Sequence, residues 1–380
     1  MAKTSFVANP AKIKVLGLGG GGSNAITRMV REGIQGVEFI AMNTDAQALS
    51  ITEAPVRVQL GEKLTKGLGV GGDHNMGQRA AEENRDELKE LISGADMIFI
   101  TAGMGGGTGT GAAPVVAEIA KQSGALTIAV VTKPFSFEGV HRAQVANEGI
   151  TRLMGKVDTL IIIPNDRLLA LCDQKTGVDS AFKMADDVLR HGVQAIAEVI
   201  TIPGLINLDF ADIKAIMKDA GPAWMSIGTG SGQNRAIEAA KQALASPLLD
   251  VSITGSKGVL FNVVGGSSLT LFEVNEAAEV IKQAVDPEAN IIFGVAHDAT
   301  MENEVKITLI ATGFVAKLGL TGAGQEDELT QLLRGIKSED ELDVPSFLRR
   351  PLISHRRQAI TPTGKPVQPP LMTPVTERRR

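Results

Sequence analysis

The chain has 380 residues, 43% of them hydrophobic, which is enough for about two globular domains with sizeable cores. Its net charge of −5 argues against a dedicated nucleic-acid-binding protein. The one cysteine, Cys172, excludes an internal disulfide, and its apolar neighbours favour a small buried hydrophobe over a nucleophile. The five histidines do not show zinc-ligand spacing. With no apolar leader at the N-terminus and no 18-residue apolar run, we expect a soluble cytoplasmic protein.

The first 175 or so residues alternate short apolar runs with helical patterns. Strands are predicted over 13–16, 37–42, 97–100, 125–131 and 159–163. Helices are predicted from Ala25 to about Arg31, from Ala112 onward, and near 142–149. Strands that alternate with helices in this way predict a doubly wound parallel sheet.

A glycine-rich loop, Gly103–Gly111, lies between the apolar run 97–100 and the helix expected from Ala112. Glycine leaves the backbone N–H groups bare, and N–H groups at the start of a helix bind anions such as phosphate. The alternative is a flexible linker, but a linker does not usually separate a strand from a helix. The loop is therefore predicted to be a phosphate cradle.

Two further glycine segments complicate the choice of ligand. Gly17-x-Gly19-x-x-Gly22 matches the dinucleotide-binding pattern, and Asp45 follows the next strand, which keeps an NAD-dependent oxidoreductase open as an alternative. Two observations oppose that alternative. The loop Gly103–Gly111 would be a second phosphate cradle, which one dinucleotide site does not need, and residues 67–72 form a third glycine segment. Several bare loops at the carboxyl edge of one sheet suit a triphosphate. No GxxxxGK[ST] motif is present, which excludes a P-loop protein.

Apolar residues at helical spacing predict a long helix over residues 179–200, which Pro203-Gly204 ends. At about 30 Å it could join two regions, or it could be an ordinary core helix. Beyond it, strands are predicted over 223–228, 258–263, 290–294 and 305–310, with helices near 234–245 and 273–284. This region is predicted to be a smaller α+β or α/β domain.

The last 60 or so residues have a different composition. Residues 317–342 are polar, and 351–380 are rich in Pro, Thr and Arg, so neither can form a core and disorder is predicted. Between them, 343–350 holds three apolar residues, whose burial yields about 5–8 kcal/mol against an ordering cost of about 8–16 kcal/mol. The octamer therefore cannot fold alone. It is either a peptide that orders on a partner or a hydrophobic cluster without function.

Several motifs, in order, resemble those of FtsZ, the family of bacterial tubulin-like cell-division GTPases. They are Ala41–Asp45, Gly105–Gly111, Thr132–Gly139, Ile163–Arg167 and Asn207–Asp212. The resemblance covers about residues 12–316, and the octamer 343–350 resembles the family's terminal docking peptide. The expected fold class is α/β, tubulin-like, with a parallel doubly wound GTP-binding domain, a long central helix, a smaller α/β domain and a disordered C-terminal tail.

The resemblance also implies a division of the chain. It comprises a flexible arm (1–11), the GTP-binding domain (12–178), the central helix (179–202), the C-terminal assembly domain (203–316), a short linker (317–342), the docking peptide (343–350) and a basic tail (351–380). The linker is shorter than is usual in the family, and the octamer is not terminal as it tends to be there. The short linker leaves less distance that the chain can span between a filament and a membrane anchor.

The resemblance implies a GTP/GDP site, with Mg²⁺ to neutralise the phosphates. The implied GTP-binding residues are Gly20, Gly21, Gly22, Ser23, Asn24, Asn43, Gly103, Gly106, Gly107, Thr108, Gly109, Thr132, Pro134, Glu138, Arg142, Asn165, Phe182 and Asp186. Asn165 and Asp186 would bind the guanine edge, and Phe182 would stack on the base. Taken alone, Phe182 also fits core packing, and Glu138 with Arg142 also fits a local (i, i+4) ion pair.

The implied catalytic residues are Asn207, Asp209 and Asp212, which in the family act on the nucleotide of the adjacent subunit. On sequence alone, Asp209 also suits a helix N-cap with Asp212 in the first turn. The resemblance therefore implies a GTPase activated by self-assembly, and a polymer without hydrolysis is the alternative.

The implied partners are further copies of this chain in head-to-tail filaments, and membrane-anchoring and regulatory division proteins. The latter would bind through Asp343, Val344, Pro345, Phe347, Leu348 and Arg349. The basic tail could touch anionic lipid, and no nucleic-acid partner is expected. The implied location is the division site, on the inner face of the membrane.

Overall fold

The structure is a computed structural model that describes residues 11–169, 177–201, 209–246, 248, 253, 255–298 and 300–313. Cys172, Asn207 and the predicted linker, docking peptide and basic tail (317–342, 343–350 and 351–380) lie outside the described residues. The described residues belong to one compact unit. The domain boundaries implied by the resemblance stay a prediction.

A ten-stranded mixed sheet runs through the described residues in the order β3-β2-β1-β4-β5-β6-β7-β10-β8-β9. Its strands are β1 (Ile13–Leu18), β2 (Val37–Asn43), β3 (Val56–Gln59), β4 (Met97–Gly103), β5 (Leu126–Lys133), β6 (Thr159–Pro164), β7 (Gly221–Ser231), β8 (Gly258–Gly265), β9 (Asn290–His297) and β10 (Glu304–Thr312). The segment from β3 to β7 is parallel throughout, and β10 is antiparallel to both of its neighbours. The predicted doubly wound parallel sheet is confirmed.

The helices lie on both faces of the sheet. In the described residues they are α1 (Gly19–Arg31), α2 (Ala46–Ser50), α3 (Glu62–Thr65), α4 (His74–Glu83), α5 (Arg85–Ile92), α6 (Thr108–Gln122), α7 (Val140–Met154), α8 (Asn165–Leu169), α9 (Val178–Thr201), α10 (Phe210–Met217), α11 (Arg235–Leu244) and α12 (Leu271–Lys282), with a 3-10 helix over Ser136–Glu138. Neighbouring strand residues point to opposite faces, so Val15 and Phe99 enter one core while Leu16 and Ile98 enter the other.

Helix α9 packs against both halves of the sheet. Val193 and Ile196 share a core with Val130 of β5 and with Leu260 of β8. Near its C-terminal end, Val199 packs against Gly294 of β9, where an added Cβ would lie 3.3 Å from Val199. The helix therefore joins the two regions, one of the two roles that its sequence left open.

Two helices begin earlier than their sequences predict. Helix α1 begins at Gly19 and not at Ala25, and α6 begins at Thr108 and not at Ala112. Glycine costs about 1 kcal/mol relative to Ala within a helix, so helix propensity places these glycines in loops. Tertiary packing overrides that preference: an added Cβ at Gly22 would lie 2.5 Å from the Thr101 carbonyl oxygen.

Short elements between β2 and β4 were not predicted. They are β3 and helices α2 to α5. Within the described ranges, no helix combines the length and apolarity that crossing a bilayer requires.

Candidate functional site

A pocket of about 400 Å³ opens at the carboxyl ends of β1, β4, β5 and β6. This edge is where ligands bind in open parallel sheets, because the loops and helix N-termini that follow the strands converge there. Its floor is formed by the starts of α1 and α6, and its side by the first turns of α9.

The floor of the pocket is mostly bare backbone. Gly19 has a φ of +68°, and a Cβ there would lie 2.9 Å from the amide nitrogen of Gly109, so only glycine lets α1 and α6 start this close together. At Gly20 and Gly106 an added Cβ would meet no protein atom within 4 Å, so both border open space. Two helix N-termini that face one cavity with bare N–H groups form an anion site.

One wall presents a buried hydrogen-bond acceptor. Asn165 is 5% exposed and lines the pocket, and its side-chain oxygen has no hydrogen-bond partner among the residues that the structure describes. A buried polar atom left unpaired costs about 1–3 kcal/mol, so an unpaired oxygen at a pocket wall points to a hydrogen-bond donor on the ligand. An amine or ring N–H of a base would satisfy it.

Asp186 is the buried carboxylate of the same wall. Burial raises its pKa to about 7, and the Arg28 guanidinium, 3.7 Å away, opposes that shift. Arg28 makes its closer ion pair, at 2.7 Å, with Asp187. Asp186 therefore has no strong protein partner for its charge and is free to accept hydrogen bonds from a ligand.

Phe182 stands one helical turn before Asp186, and 41% of its side chain is exposed at the pocket. Its ring lies edge-on to Phe135, with centroids 5.4 Å apart, and Phe137 stacks on Phe135 at 5.0 Å. Phe182 is thus only partly packed, and its exposed face can stack on a planar base.

Glu138 and Arg142 form the ion pair that their spacing predicts, at 2.8 Å. Glu138 also accepts a hydrogen bond from the Phe135 amide at 2.9 Å. A carboxylate has about four acceptor sites, so the local ion pair and a contact with ribose hydroxyls are compatible.

Most of the predicted GTP-binding residues line this one pocket: Gly20, Gly21, Asn24, Gly103, Gly106, Gly107, Thr108, Gly109, Thr132, Pro134, Glu138, Arg142, Asn165, Phe182 and Asp186. Gly22, Ser23 and Asn43 do not line it. Gly22 faces β4, Ser23 is buried, and the Asn43 side chain accepts from the Asp45 amide.

Sequence reasoning did not single out Leu18, Gly19, Met104 or Ala185 as pocket residues, although all four line it. Gly19 belongs to the noted glycine pattern, so its signal was present. The other three are apolar residues that only the tertiary structure assigns to a wall.

Asp209 and Asp212 do not lie in the pocket. Both are exposed, and Asp209 accepts from the Ala211 amide as the N-cap of α10, the structural role that its sequence suggested. Helix α10 lies at the amino edge of the sheet, where its Met217 carbonyl accepts from Thr159 at the start of β6. Asn207 lies outside the described residues.

Helix α9 spans most of the distance between the pocket and the α10 aspartates. Phe182 and Asp186 lie near its start, at the pocket, and Thr201 at its end packs against Gly36, just before β2. Its 24 residues span about 36 Å at 1.5 Å per residue. The pocket and the α10 aspartates therefore lie on opposite edges of the sheet.

Two family models match the chain. Residues 12–173 match the Tubulin/FtsZ family GTPase domain, and residues 221–315 match the FtsZ family C-terminal domain. Among solved structures, an empty FtsZ dimer from M. jannaschii is 49% identical, with a TM-score of 0.78 over 80% of this chain and 89% of that one.

More distant structures share the fold alone. CetZ1 from Haloferax volcanii, a GDP-bound monomer, is 21% identical, with a TM-score of 0.69 over 85% of this chain and 99% of that one. CetZ2 from the same organism, a GTPγS-bound protofilament, is 18% identical, with a TM-score of 0.68 over 85% of this chain and 98% of that one.

The ten-stranded sheet and the glycine-floored pocket define a nucleotide-binding protein of the tubulin-like class. With both of its domain models matched in order, the chain belongs to the FtsZ family of tubulin-like GTPases.

Proposed function

We propose that this protein is a GTPase of bacterial cell division that assembles head to tail. The pocket of one subunit binds GTP, and the next subunit supplies Asp209 and Asp212, with Asn207, to complete the hydrolytic site. The filaments form the ring at the division site, in the cytoplasm on the inner face of the membrane.

The observation that carries the proposal is the separation of the pocket from the two aspartates. The pocket at the carboxyl edge binds anions but lacks an exposed carboxylate suited to orienting water. The carboxylates at the amino edge lie far from the pocket of their own chain. Stacking two copies head to tail brings the two edges together, which is a heterologous contact that generates a filament.

Guanine fits the wall of the pocket better than adenine. Guanine presents a ring N–H and an exocyclic amine on its Watson–Crick edge, and the ionised Asp186 carboxylate accepts from both. The unpaired Asn165 oxygen offers a further acceptor. Adenine lacks the ring N–H and would leave buried acceptors unpaired, which a polar site rejects strongly.

Mg²⁺ fits this site as a companion of the nucleotide. The described residues hold no group of three or more His, Cys, Asp or Glu that could bind a metal ion. Mg²⁺ is commonly held by substrate phosphates with one or two carboxylates and water, so the nucleotide would supply most of the ligands. When bound, it would neutralise phosphate charge.

Within the completed site, Asp209 and Asp212 orient the attacking water and accept its proton. Such general-base and positioning effects contribute about 10²–10⁴ in rate. The glycine amides of α1 and α6 hold the phosphates and stabilise the charge that develops during hydrolysis.

A mixing experiment tests the split site. The Asp212→Asn variant has an intact pocket, and the Asp186→Ala variant has intact Asp209 and Asp212. Each variant alone should release phosphate from GTP at a small fraction of the wild-type rate. Mixed one to one, they form contacts in which an intact pocket faces an intact Asp212, and random stacking gives at most about a quarter of such contacts. Phosphate release by the mixture well above the sum of the two variants is expected.

If the mixture is no more active than its parts, while both variants still co-sediment, the split site is wrong. Concentration offers an independent check. Specific activity should rise steeply with protein concentration, and a rate strictly proportional to concentration down to very low levels would contradict activation by assembly.

The segments beyond residue 316 extend the proposal to partners. The octamer 343–350 would bind membrane-anchoring and regulatory division proteins, and the arginines of 351–380 would add about 1 kcal/mol each near an anionic bilayer. Deleting 351–380 should reduce co-sedimentation with anionic liposomes. Unchanged co-sedimentation would remove the lipid contact from the proposal.

The alternatives are separated by simple assays. A binding panel of GTP and GDP against NAD tests the oxidoreductase, which the observed use of Asp45 as the N-cap of α2 disfavours. Phosphate release during sedimentation tests a polymer without hydrolysis. Electron microscopy with GTP and with GDP reports whether filaments depend on the nucleotide.

A further inference from the structure

Two threonine hydroxyls meet beneath the phosphate cradle. Thr44 follows β2, and Thr108 is the first residue of α6; their side-chain oxygens lie 2.7 Å apart. Thr44 is fully buried and Thr108 is 8% exposed. Thr108 lines the pocket and Thr44 does not, so Thr44 lies behind a pocket residue.

The chemistry of the two hydroxyls gives their hydrogen bond a direction when an anion is present. Each hydroxyl has one proton to donate and two lone pairs that accept. A phosphate oxygen only accepts, so a Thr108 hydroxyl that contacts phosphate donates its proton to it. Thr44 must then donate to Thr108, and the chain from Thr44 through Thr108 to the phosphate is polarised in one direction.

The backbone around Thr44 is held by residues that do not line the pocket. The Thr65 hydroxyl bonds the Thr44 carbonyl at 3.4 Å and the Gly61 carbonyl at 3.0 Å. The Ala46 amide donates to the Gly67 carbonyl at 3.1 Å. The Thr44 backbone is thus held before any ligand arrives, and its buried hydroxyl already contacts Thr108, so a pre-positioned partner costs little ordering entropy on binding.

We propose that Thr44 is a positioning residue for nucleotide phosphate, acting through the hydroxyl of Thr108. The proposal rests on the proposed function, since it requires that the pocket bind GTP. Thr44 itself does not touch the nucleotide. It keeps the Thr108 proton directed at the phosphate and leaves recognition of the base to the opposite wall.

The test replaces the hydroxyl without changing the shape. Thr44→Val removes the hydroxyl donor, and Thr44→Ser keeps it. The control, Thr127→Val, makes the same change at a fully buried threonine whose hydroxyl donates to the Ala125 carbonyl at the amino edge of the sheet. Affinities for GTP, GDP and guanosine are measured by competition on full-length protein, at concentrations too low for assembly. Thermal unfolding without nucleotide is measured in parallel.

Thr44→Val should weaken GTP and GDP about tenfold and guanosine less than about twofold, because only phosphate contacts depend on the relay. In turnover assays its KM should rise about tenfold, with kcat within about twofold. Thr44→Ser should bind like wild type, and Thr127→Val should match Thr44→Val in unfolding temperature while keeping full nucleotide affinity.

Wild-type affinity of Thr44→Val for GTP would overturn the inference, as would an equal loss for guanosine, or a loss that Thr44→Ser shares. A large fall in unfolding temperature for Thr44→Val alone would assign the hydroxyl to folding and also overturn it. Failure of wild-type protein to bind any guanine nucleotide would instead reject the proposed function, so the two failures are distinguishable.

Discussion

The two edges of the parallel sheet are built in opposite ways. The carboxyl edge holds a pocket of about 400 Å³ whose floor is glycine backbone and whose walls present buried acceptors. The amino edge presents exposed side chains, with Asp209 and Asp212 on α10 and a lysine cluster that includes Lys121 and Lys218. One edge forms a pocket with a backbone floor, and the other presents exposed charged side chains.

This difference separates binding from chemistry within one chain. A site built from backbone amides is rigid before the ligand arrives, whereas exposed carboxylates gain a defined geometry only against a partner. Binding should therefore depend on the carboxyl edge alone and hydrolysis on both edges. The following experiments test that division.

The largest effect is expected at Asp212. Asp212→Asn should lower the rate of phosphate release from GTP by about 10²–10⁴ under assembling conditions, because it removes an acceptor for the water proton. GTP affinity should stay unchanged, since Asp212 does not line the pocket.

The matched control is Asp219→Asn, an exposed aspartate of the same edge that pairs with Lys121 at 3.1 Å. Its left-handed backbone, with φ +51°, accepts Asn readily. Near-normal turnover is expected for Asp219→Asn. Equal losses of turnover in both variants would mean that hydrolysis depends on the negative charge of the amino edge and not on Asp212 in particular. A loss of GTP affinity in Asp212→Asn would contradict the separation of binding from hydrolysis.

The ionised form of Asp186 should destabilise the unliganded protein. Burial raises its folded pKa to about 7, above the ordinary aspartate value of 3.8, so the stability associated with its neutral form is lost as pH rises through about 7. Asp186→Asn is neutral at every pH and should raise the free energy of unfolding at pH 8 by about 2 kcal/mol. The gain should shrink as the pH is lowered toward 5.

Asp187→Asn is the control for this measurement, made by denaturant unfolding without nucleotide. It breaks the 2.7 Å ion pair with Arg28 and should lower the free energy of unfolding. Opposite signs for two adjacent aspartates would show that Asp186 is kept for binding at a cost in stability. A destabilised Asp186→Asn at pH 8 would contradict this.

GTP affinity should depend on the same carboxyl group. Guanine's donors require ionised Asp186, so affinity should fall about tenfold per pH unit as the pH drops below about 7. Binding measured from pH 6 to pH 8 gives the slope, and Asp186→Asn should bind weakly with little slope. A wild-type profile that is flat over this range would mean that the carboxylate does not bind the base.

The smallest effect on stability is expected at the mouth of the pocket. Arg142→Gln breaks the partly exposed ion pair with Glu138 and should lower the free energy of unfolding by only about 0.3–0.5 kcal/mol. GTP affinity should fall several-fold, because Arg142 lines the pocket. If the binding free energy for GTP falls no more than the free energy of unfolding does, the Glu138–Arg142 ion pair is only a local contact and Arg142 does not contact the nucleotide.

The sequence predicts the long, strongly patterned elements well. Strands β1, β4, β5 and β6, helix α9, and the glycine loops that follow the strands were all predicted in order. Because parallel strands bring their carboxyl ends to one edge, the glycine loops could be expected to meet there, whereas the other pocket residues were predicted only from the family resemblance. Short elements such as β3 and α3 gave too little periodicity to be recognised.

The beginnings of α1 and α6 show where local reasoning fails. Glycine-rich segments favour loops, yet α1 begins at Gly19 and α6 at Thr108. The close approach of the two helices, which no local pattern encodes, outweighs the propensity of each segment. The same packing turns two glycine loops into a single anion site.

The sequence by itself determined the order of the longer elements and the glycine loops that follow the strands, because strand periodicity and glycine content are local properties. Its ordered motifs were enough to indicate the family. Only the tertiary structure decided which distant groups meet. Thr44 touches Thr108 across 64 positions, Arg28 lies beside Asp186, and α9 sets the pocket and Asp212 on opposite edges. Such contacts depend on the direction and length of whole elements, so they arise only when the sheet and its helices pack.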